Sequence, residues 1–214
     1  MKGLFRKMGS PFLVGIKRGI LISLGLVIFW LLLDFVYLSK LESTNKSNLE
    51  LEQVASIGGD FDLIGKEGKK YNIASFMGKP FLIFFGFASC PDICPYGLTM
   101  ISSVLDSLDK DSNKISAVFV TLDPERDDYK KVSEFANIFH EEIIGLSGNQ
   151  EQVDNAALAW RVYKKKVLLE SSDLEYTIDH SSFIYLMDAN GKYHTHFPHN
   201  VDEEEILKEI ETLI

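Results

Sequence analysis

Pro80-Phe81-Leu82-Ile83-Phe84-Phe85-Gly86-Phe87 runs without a charge straight into Ala88-Ser89-Cys90-Pro91-Asp92-Ile93-Cys94-Pro95. A continuous apolar run bounded by breakers predicts a strand covered on both faces, because a half-exposed strand would alternate apolar with polar residues. Beyond Pro95, apolar residues recur at helical spacing through Met100, Val104 and Leu108, and the pattern ends near Asp109. The two cysteines therefore open a helix that follows a central strand. Doubly wound α/β folds expose reactive groups at such junctions.

The same alternation continues outward. A second buried strand, Ile115 to Leu122, ends at Asp123-Pro124-Glu125-Arg126-Asp127, and a helix follows over Tyr129 to Phe139 with Val132, Phe135 and Phe139 on one face. A short apolar piece, Ile143 to Leu146, precedes a helix over Gln150 to Tyr163. Lys165 to Thr177 reads as an inserted hairpin. Ser182 to Met187, a turn at Asp188-Ala189-Asn190-Gly191 and Lys192 to Phe197 form a clearer antiparallel one. A last amphipathic helix covers Asp202 to Leu213, and upstream Phe61 to Ile64 and Tyr71 to Ile73 flank a Gly65 to Gly68 turn. Strands alternating with helices and closing on a hairpin imply an α/β fold, a mixed sheet flanked by helices on both faces.

The 214 residues suffice for one globular domain and an anchor. Gly19 to Leu38 is apolar apart from Ser23 and Asp34, and twenty helical residues at about 1.5 Å each span a ~30 Å hydrocarbon layer. Asp34 lies near the outer end, where a carboxylate reaches headgroup water. Lys2, Arg6, Lys7, Lys17 and Arg18 precede the run and hold the N-terminus on the cytoplasmic or matrix side. The expected organisation is a basic stretch over 1–18, one N-terminal transmembrane helix over 19–38, a polar tether over 39–54 and an exported domain over 55–214. That domain would lie in the periplasm, at a bacterial inner membrane, or in the mitochondrial intermembrane space. A cleaved signal peptide is the rival, but the run is longer than a signal core and no small-x-small pattern follows Leu38. Asn45-Lys46-Ser47 matches a glycosylation acceptor, which has no meaning in a bacterial or mitochondrial setting.

The overall charge of -9 hides an asymmetry: beyond residue 40, 16 Lys/Arg stand against 30 Asp/Glu, a net -14. Such a surface repels nucleic acid and favours cationic partners or plain solubility.

Cys90 and Cys94 are the two cysteines of the chain. At a spacing of four in a helical turn their sulfurs fall on one face and can converge on one ion. A helix N-terminus favours thiolate, the form that binds metal or attacks a disulfide. Pro91 and Pro95 pre-set the backbone there. The alternative is a structural disulfide, but closing so small a loop removes little chain entropy. Two thiolates leave a soft metal short of ligands, so a third is sought among His140, His180, His194, His196 and His199. His180, in Asp179-His180-Ser181 at the start of the strand that holds Phe183 to Met187, stands where a side chain reaches back over a helix N-terminus. His194, His196 and His199 read as solvated surface, with a separate weak metal site as the alternative. His140 reads as surface.

Gly86-Phe87 before Cys90-Pro91-Asp92-Ile93-Cys94-Pro95, then Asp123-Pro124-Glu125-Arg126-Asp127, then Asp179-His180-Ser181, together resemble the Sco/SenC proteins over roughly residues 55 to 200. The resemblance implies a thioredoxin-like domain on a single membrane anchor, a copper-binding assembly factor for cytochrome c oxidase. It implies copper, Cu(I) and Cu(II), held by Cys90, Cys94 and His180, with Asp123 close by and supporting a partner interaction. Ala88-Ser89 departs from the Thr and His that members often carry, and the Tyr193 to His199 segment lies outside the recognised pattern. Independently, two soft thiolates suit Cu(I), an imidazole admits Cu(II), and three ligands leave a position open to a receiving ligand.

Two functions compete. One is a non-enzymatic copper metallochaperone serving the binuclear copper site of cytochrome c oxidase subunit II, supplied by an upstream copper donor or served by a thiol reductant. The other is a thiol-disulfide oxidoreductase using Cys90 and Cys94 without His180, against which the CxxxC spacing argues. A peroxidase of the peroxiredoxin kind lacks a supporting Arg and Thr constellation beside the cysteine.

Overall fold

The computed structural model describes residues 30–35, 38, 40, 57–169 and 175–214, with the backbone alone for 109–111. Met1–Ser56 and Ile57–Ile214 are separate units. The expected basic stretch, anchor and tether lie outside the described residues, save a helical 30–35 and residues 38 and 40. Trp30, Leu31, Leu32, Leu33, Phe35 and Leu38 are exposed there. Among the described residues no helix is long and apolar enough to cross a membrane.

In the second unit the elements are β1 (Leu63–Ile64), β2 (Lys70–Tyr71), β3 (Phe81–Gly86), α1 (Ile93–Leu108), β4 (Ser116–Thr121), α2 (Tyr129–Phe139), β5 (Ile143–Leu146) and α3 (Gln150–Ala159). They continue with β6 (Lys164–Leu168), β7 (Tyr176–His180), β8 (Phe183–Met187), β9 (Tyr193–Pro198) and α4 (Glu203–Glu211). The main sheet has the order β5-β4-β3-β8-β9. β3, β4 and β5 run parallel, while β8 is antiparallel to β3 and β9 to β8. β1 pairs with β2 as the small hairpin read from the sequence.

The apolar run of β3 is buried along its whole length because each face has its own cover. On one face the Phe84 ring lies so close to Gly97 of α1 that a Cβ there would sit 2.8 Å from it. Phe84 also meets Phe119 of β4, which meets Phe135 of α2, with ring centroids 6.0 and 5.6 Å apart. On the other face Phe81 and Phe85 pack on Trp160, just past α3, at 6.3 and 5.7 Å. Period-two alternation sorts the phenylalanines this way. Each such ring removed from water contributes roughly 1.5–3 kcal/mol.

Two of the boundaries that differ from the sequence expectation bear on the site. α3 stops at Ala159, not Tyr163, because Arg161 adopts a left-handed backbone, φ 56°. The Val162 N–H then bonds the Ala157 carbonyl at 2.8 Å and the Arg161 N–H the Leu158 carbonyl at 3.2 Å, the two bonds of a Schellman ending. The inserted hairpin is real, β6 paired with β7, with residues 170–174 outside the described residues. His180 is its last strand residue, not the first of the next strand; Ser181-Ser182 separates β7 from β8.

Candidate metal centre

The loop that leaves β3 is tied down by a carboxylate. Asp127 is fully buried, and its Oδ2 accepts the Ala88 N–H at 2.7 Å and the Thr121 hydroxyl at 2.9 Å. Lys131 Nζ lies 2.9 Å from its Oδ1. A buried charge is tolerable only when paired and hydrogen-bonded, as here. The Asp127 backbone is held too, its N–H by the Asp123 carbonyl at 2.9 Å and its carbonyl by Ser147 Oγ at 2.6 Å. The loop after β4 thus fixes the loop after β3.

α1 begins at Ile93, so Cys90 precedes the helix and Cys94 occupies its first turn; they do not share a helical turn as the spacing suggests. The sulfurs converge all the same. The Cys94 N–H points at Cys90 Sγ at 3.5 Å, which lets sulfur act as a side-chain oxygen does at an N-cap. Cys94 is buried and Cys90 half-buried, both as free thiols. Gly86 makes room: a Cβ on it would sit 2.6 Å from Cys94 Sγ and 2.9 Å from the Phe119 ring.

The pair is electrostatically unequal. A hydrogen bond from Cys94 is the main reason the Cys90 thiol falls to about 4; burial opposes it, and hydrogen bonds from the His180 side chain and from the Asp92 and Cys94 N–H groups assist. Cys94 is pushed far up, first by that same bond, then by burial and by the negative charge of Cys90. At neutral pH one proton serves both sulfurs.

His180 Nε2 lies 3.5 Å from Cys94 Sγ. Its Nδ1 stands 2.8 Å from the Ser181 carbonyl. A carbonyl only accepts, so Nδ1 carries a hydrogen, and the ring presents Nε2 to the thiols. The Phe87 ring meets the imidazole edge-on at 5.9 Å. The donor atoms of Cys90, Cys94 and His180 all lie within 4.8 Å of one another, and among the described residues no other such trio of His, Cys, Asp or Glu donors forms.

Asp123 is 3% exposed and faces inward. Its Oδ1 accepts from the Tyr176 hydroxyl at 2.8 Å, its Oδ2 pairs with Arg126 Nε, and its N–H donates to Thr121 Oγ1 at 3.0 Å. Arg126 Nη1 donates to the Tyr176 carbonyl at 2.9 Å. Asp127, Tyr176, Gly86 and Phe87 were not marked as site residues by sequence reasoning. Asp127 and Arg126 lie in the recognised Asp123 to Asp127 motif, but Tyr176 carries no local signal.

The remaining histidines are engaged elsewhere. His194 Nε2 pairs with Glu209 at 2.8 Å, His196 Nδ1 lies 2.6 Å from the Tyr193 hydroxyl, and His199 meets the Tyr96 ring at 6.1 Å. His140 sits 3.6 Å from Asp106.

A mixed sheet with two thiols and an imidazole converging past its central strand defines a thioredoxin-like protein with a thiol-based metal or redox site. A model of the SCO1/SenC family matches residues 50–214, and the chain belongs to that family. A SCO2-like protein of Rickettsia felis is 41% identical over 157 residues, 73% of this chain and 77% of that protein. ScoI of Bradyrhizobium japonicum, solved with copper bound, has a TM-score of 0.69 and 38% identity over 74% of this chain and 100% of that one. ScoI of Arabidopsis thaliana, also with copper bound, has a TM-score of 0.68 and 36% identity over 73% and 99%.

Proposed function

We propose that this protein carries copper on Cys90, Cys94 and His180 and delivers it to the binuclear copper site of cytochrome c oxidase subunit II during oxidase assembly. The observation that carries the reading is the convergence of three donor atoms within 4.8 Å, with His180 Nε2 3.5 Å from Cys94 Sγ. The copper-bound state of the Bradyrhizobium and Arabidopsis relatives supports the choice of ion. Two thiolates hold Cu(I) well and the imidazole extends the site to Cu(II). Cys90, a thiolate at neutral pH, binds without first losing a proton. Three protein ligands leave a position at which an acceptor's ligand enters, so transfer proceeds by stepwise exchange. On this reading residues 19–38 anchor the chain as a single pass, and the domain works in the periplasm of a bacterial inner membrane or its mitochondrial counterpart, supplied by an upstream copper donor.

A second reading, thiol-disulfide exchange with the acceptor's cysteines, draws on the same asymmetry: an acidified Cys90 beside a buried, protonated Cys94 resembles an attacking and a resolving thiol. The histidine separates the two. Copper stoichiometry and thiolate-to-Cu(II) absorption are measured on the reduced full-length chain and on His180→Ala. The expected result is loss of most Cu(II) affinity with both thiols still titratable. Copper binding that survives the substitution intact would overturn the three-ligand site and favour the redox reading.

A further inference from the structure

His180 reaches the thiols from a ribbon with no ladder to the main sheet: β6 and β7 form their own two-stranded sheet. The bonds at the base of the ribbon, Ser181 N–H to the Tyr163 carbonyl at 3.0 Å and Tyr163 N–H to Ser181 Oγ at 3.1 Å, close it upon itself. The Ser181 carbonyl orients the ring locally, and the approach of the ribbon to the thiols is set by contacts other than sheet pairing.

One cation connects the parts. The Arg126 guanidinium lies 3.7 Å over the Tyr176 ring and 5.9 Å from the centre of the Phe87 ring, and Phe87 meets the His180 imidazole edge-on. Tyr176 opens the strand that His180 ends, and Phe87 belongs to the loop that leads to Cys90. Arg126 thus stands between the thiol loop and the histidine ribbon, touching the ring on each side. Its own place is fixed by Asp123 and by the Tyr176 carbonyl, and Asp123 holds the Tyr176 hydroxyl as well. On the outer side Lys166 covers the same Tyr176 ring at 3.8 Å and pairs with Glu125 at 2.6 Å. A planar guanidinium that stacks and forks at once does what a lysine ammonium cannot.

We propose that Arg126, locked by Asp123 and Tyr176, is the positioning residue that sets the reach of His180 to the two thiols, and so decides whether the site offers copper two donors or three. This rests on the assignment of Cys90, Cys94 and His180 as the ligands. Because Cu(II) gains most from the imidazole, loss of the clamp discriminates between oxidation states.

The test is a double-substitution cycle on the full-length chain in detergent: wild type, Arg126→Lys, His180→Ala and the two combined. Cu(II) and Cu(I) affinities are read by competition with chelators, together with the thiolate-to-Cu(II) absorption band. Arg126→Lys is expected to weaken Cu(II) binding about tenfold, the size found for residues that orient a metal-binding histidine. It should change Cu(I) binding less than about threefold and shift the absorption band, since two thiolates remain to hold Cu(I). In the His180→Ala background the same change should alter Cu(II) affinity less than about twofold, because no imidazole is left to misplace. An equal loss in both backgrounds, or native Cu(II) affinity and spectrum in Arg126→Lys, would overturn the proposal and leave Arg126 a plain structural contact. The ligand assignment fails separately, by native Cu(II) affinity in His180→Ala. If Arg126→Lys does not fold, Tyr176→Phe carries the cycle: it keeps the ring and removes the hydroxyl's contacts with Asp123 and Glu125, with about a threefold Cu(II) loss expected and no loss counting against the proposal.

Discussion

Gly86→Ala is the smallest change that reaches the site through the core. The new methyl carbon would lie 2.6 Å from Cys94 Sγ and 2.9 Å from the Phe119 ring, against ordinary contact distances of roughly 3.5–4.0 Å. Both the sulfur and the ring have to retreat, by roughly 0.5–1 Å each, and the ring is wedged between Phe84 and Phe135. Overpacking of this kind costs about 1–3 kcal/mol, which at a slope near ~2 kcal/mol/M lowers the urea midpoint by about 1 M. Gly145→Ala is the control: its methyl would lie 2.5 Å from the Val132 carbonyl oxygen, so it destabilises the fold against backbone and not against a cysteine. Urea titrations of both apo variants, followed by copper competition on the folded proteins, should separate them. Both lose stability, and only Gly86→Ala also loses copper affinity, by about tenfold or ~1.4 kcal/mol. Gly86→Ala protein that binds copper with native affinity and spectrum would refute the claim that the missing Cβ sets the position of Cys94.

Alkylation of the reduced apo protein should fall on Cys90, with a rate that stays level from neutral pH down to about 5 and drops only as pH nears the Cys90 value of about 4. Cys94, buried and held protonated, should lag far behind; peptide mapping that finds equal labelling would contradict the asymmetry. Asp127→Ala orphans the Ala88 N–H and the Thr121 hydroxyl. It should cost about 2–4 kcal/mol in denaturant unfolding, and a loss near zero would mean the carboxylate does not hold the cysteine loop.

Much of the sheet is legible in the sequence because β3 is apolar without interruption and bounded by breakers, so burial on both faces has one reading. The same logic recovers β4, α2 and the closing β8–β9 hairpin. Helix ends are less legible. Arg161 in a left-handed conformation ends α3 where the apolar periodicity continues to Tyr163. The cap of α1 is a cysteine sulfur, which no propensity scale counts as a cap. Cys90, Cys94 and His180 are legible as candidates from their residue types and the resemblance. Their supports are not. Tyr176 and Arg126 are separated by fifty residues and Ala88 and Asp127 by thirty-nine, and such pairings exist only once the chain has folded.

On the proposed assignment of Cys90, Cys94 and His180 as copper ligands, the histidine ribbon would set the rate at which the ion departs. A two-stranded ribbon is marginal by itself, while the thiols belong to the sheet core, whose opening takes global unfolding. Fraying of the ribbon would withdraw His180 and leave the two thiols in place. The residence time of copper would then depend on a local opening equilibrium, and an acceptor that bound the open ribbon would speed unloading without any disturbance of the core.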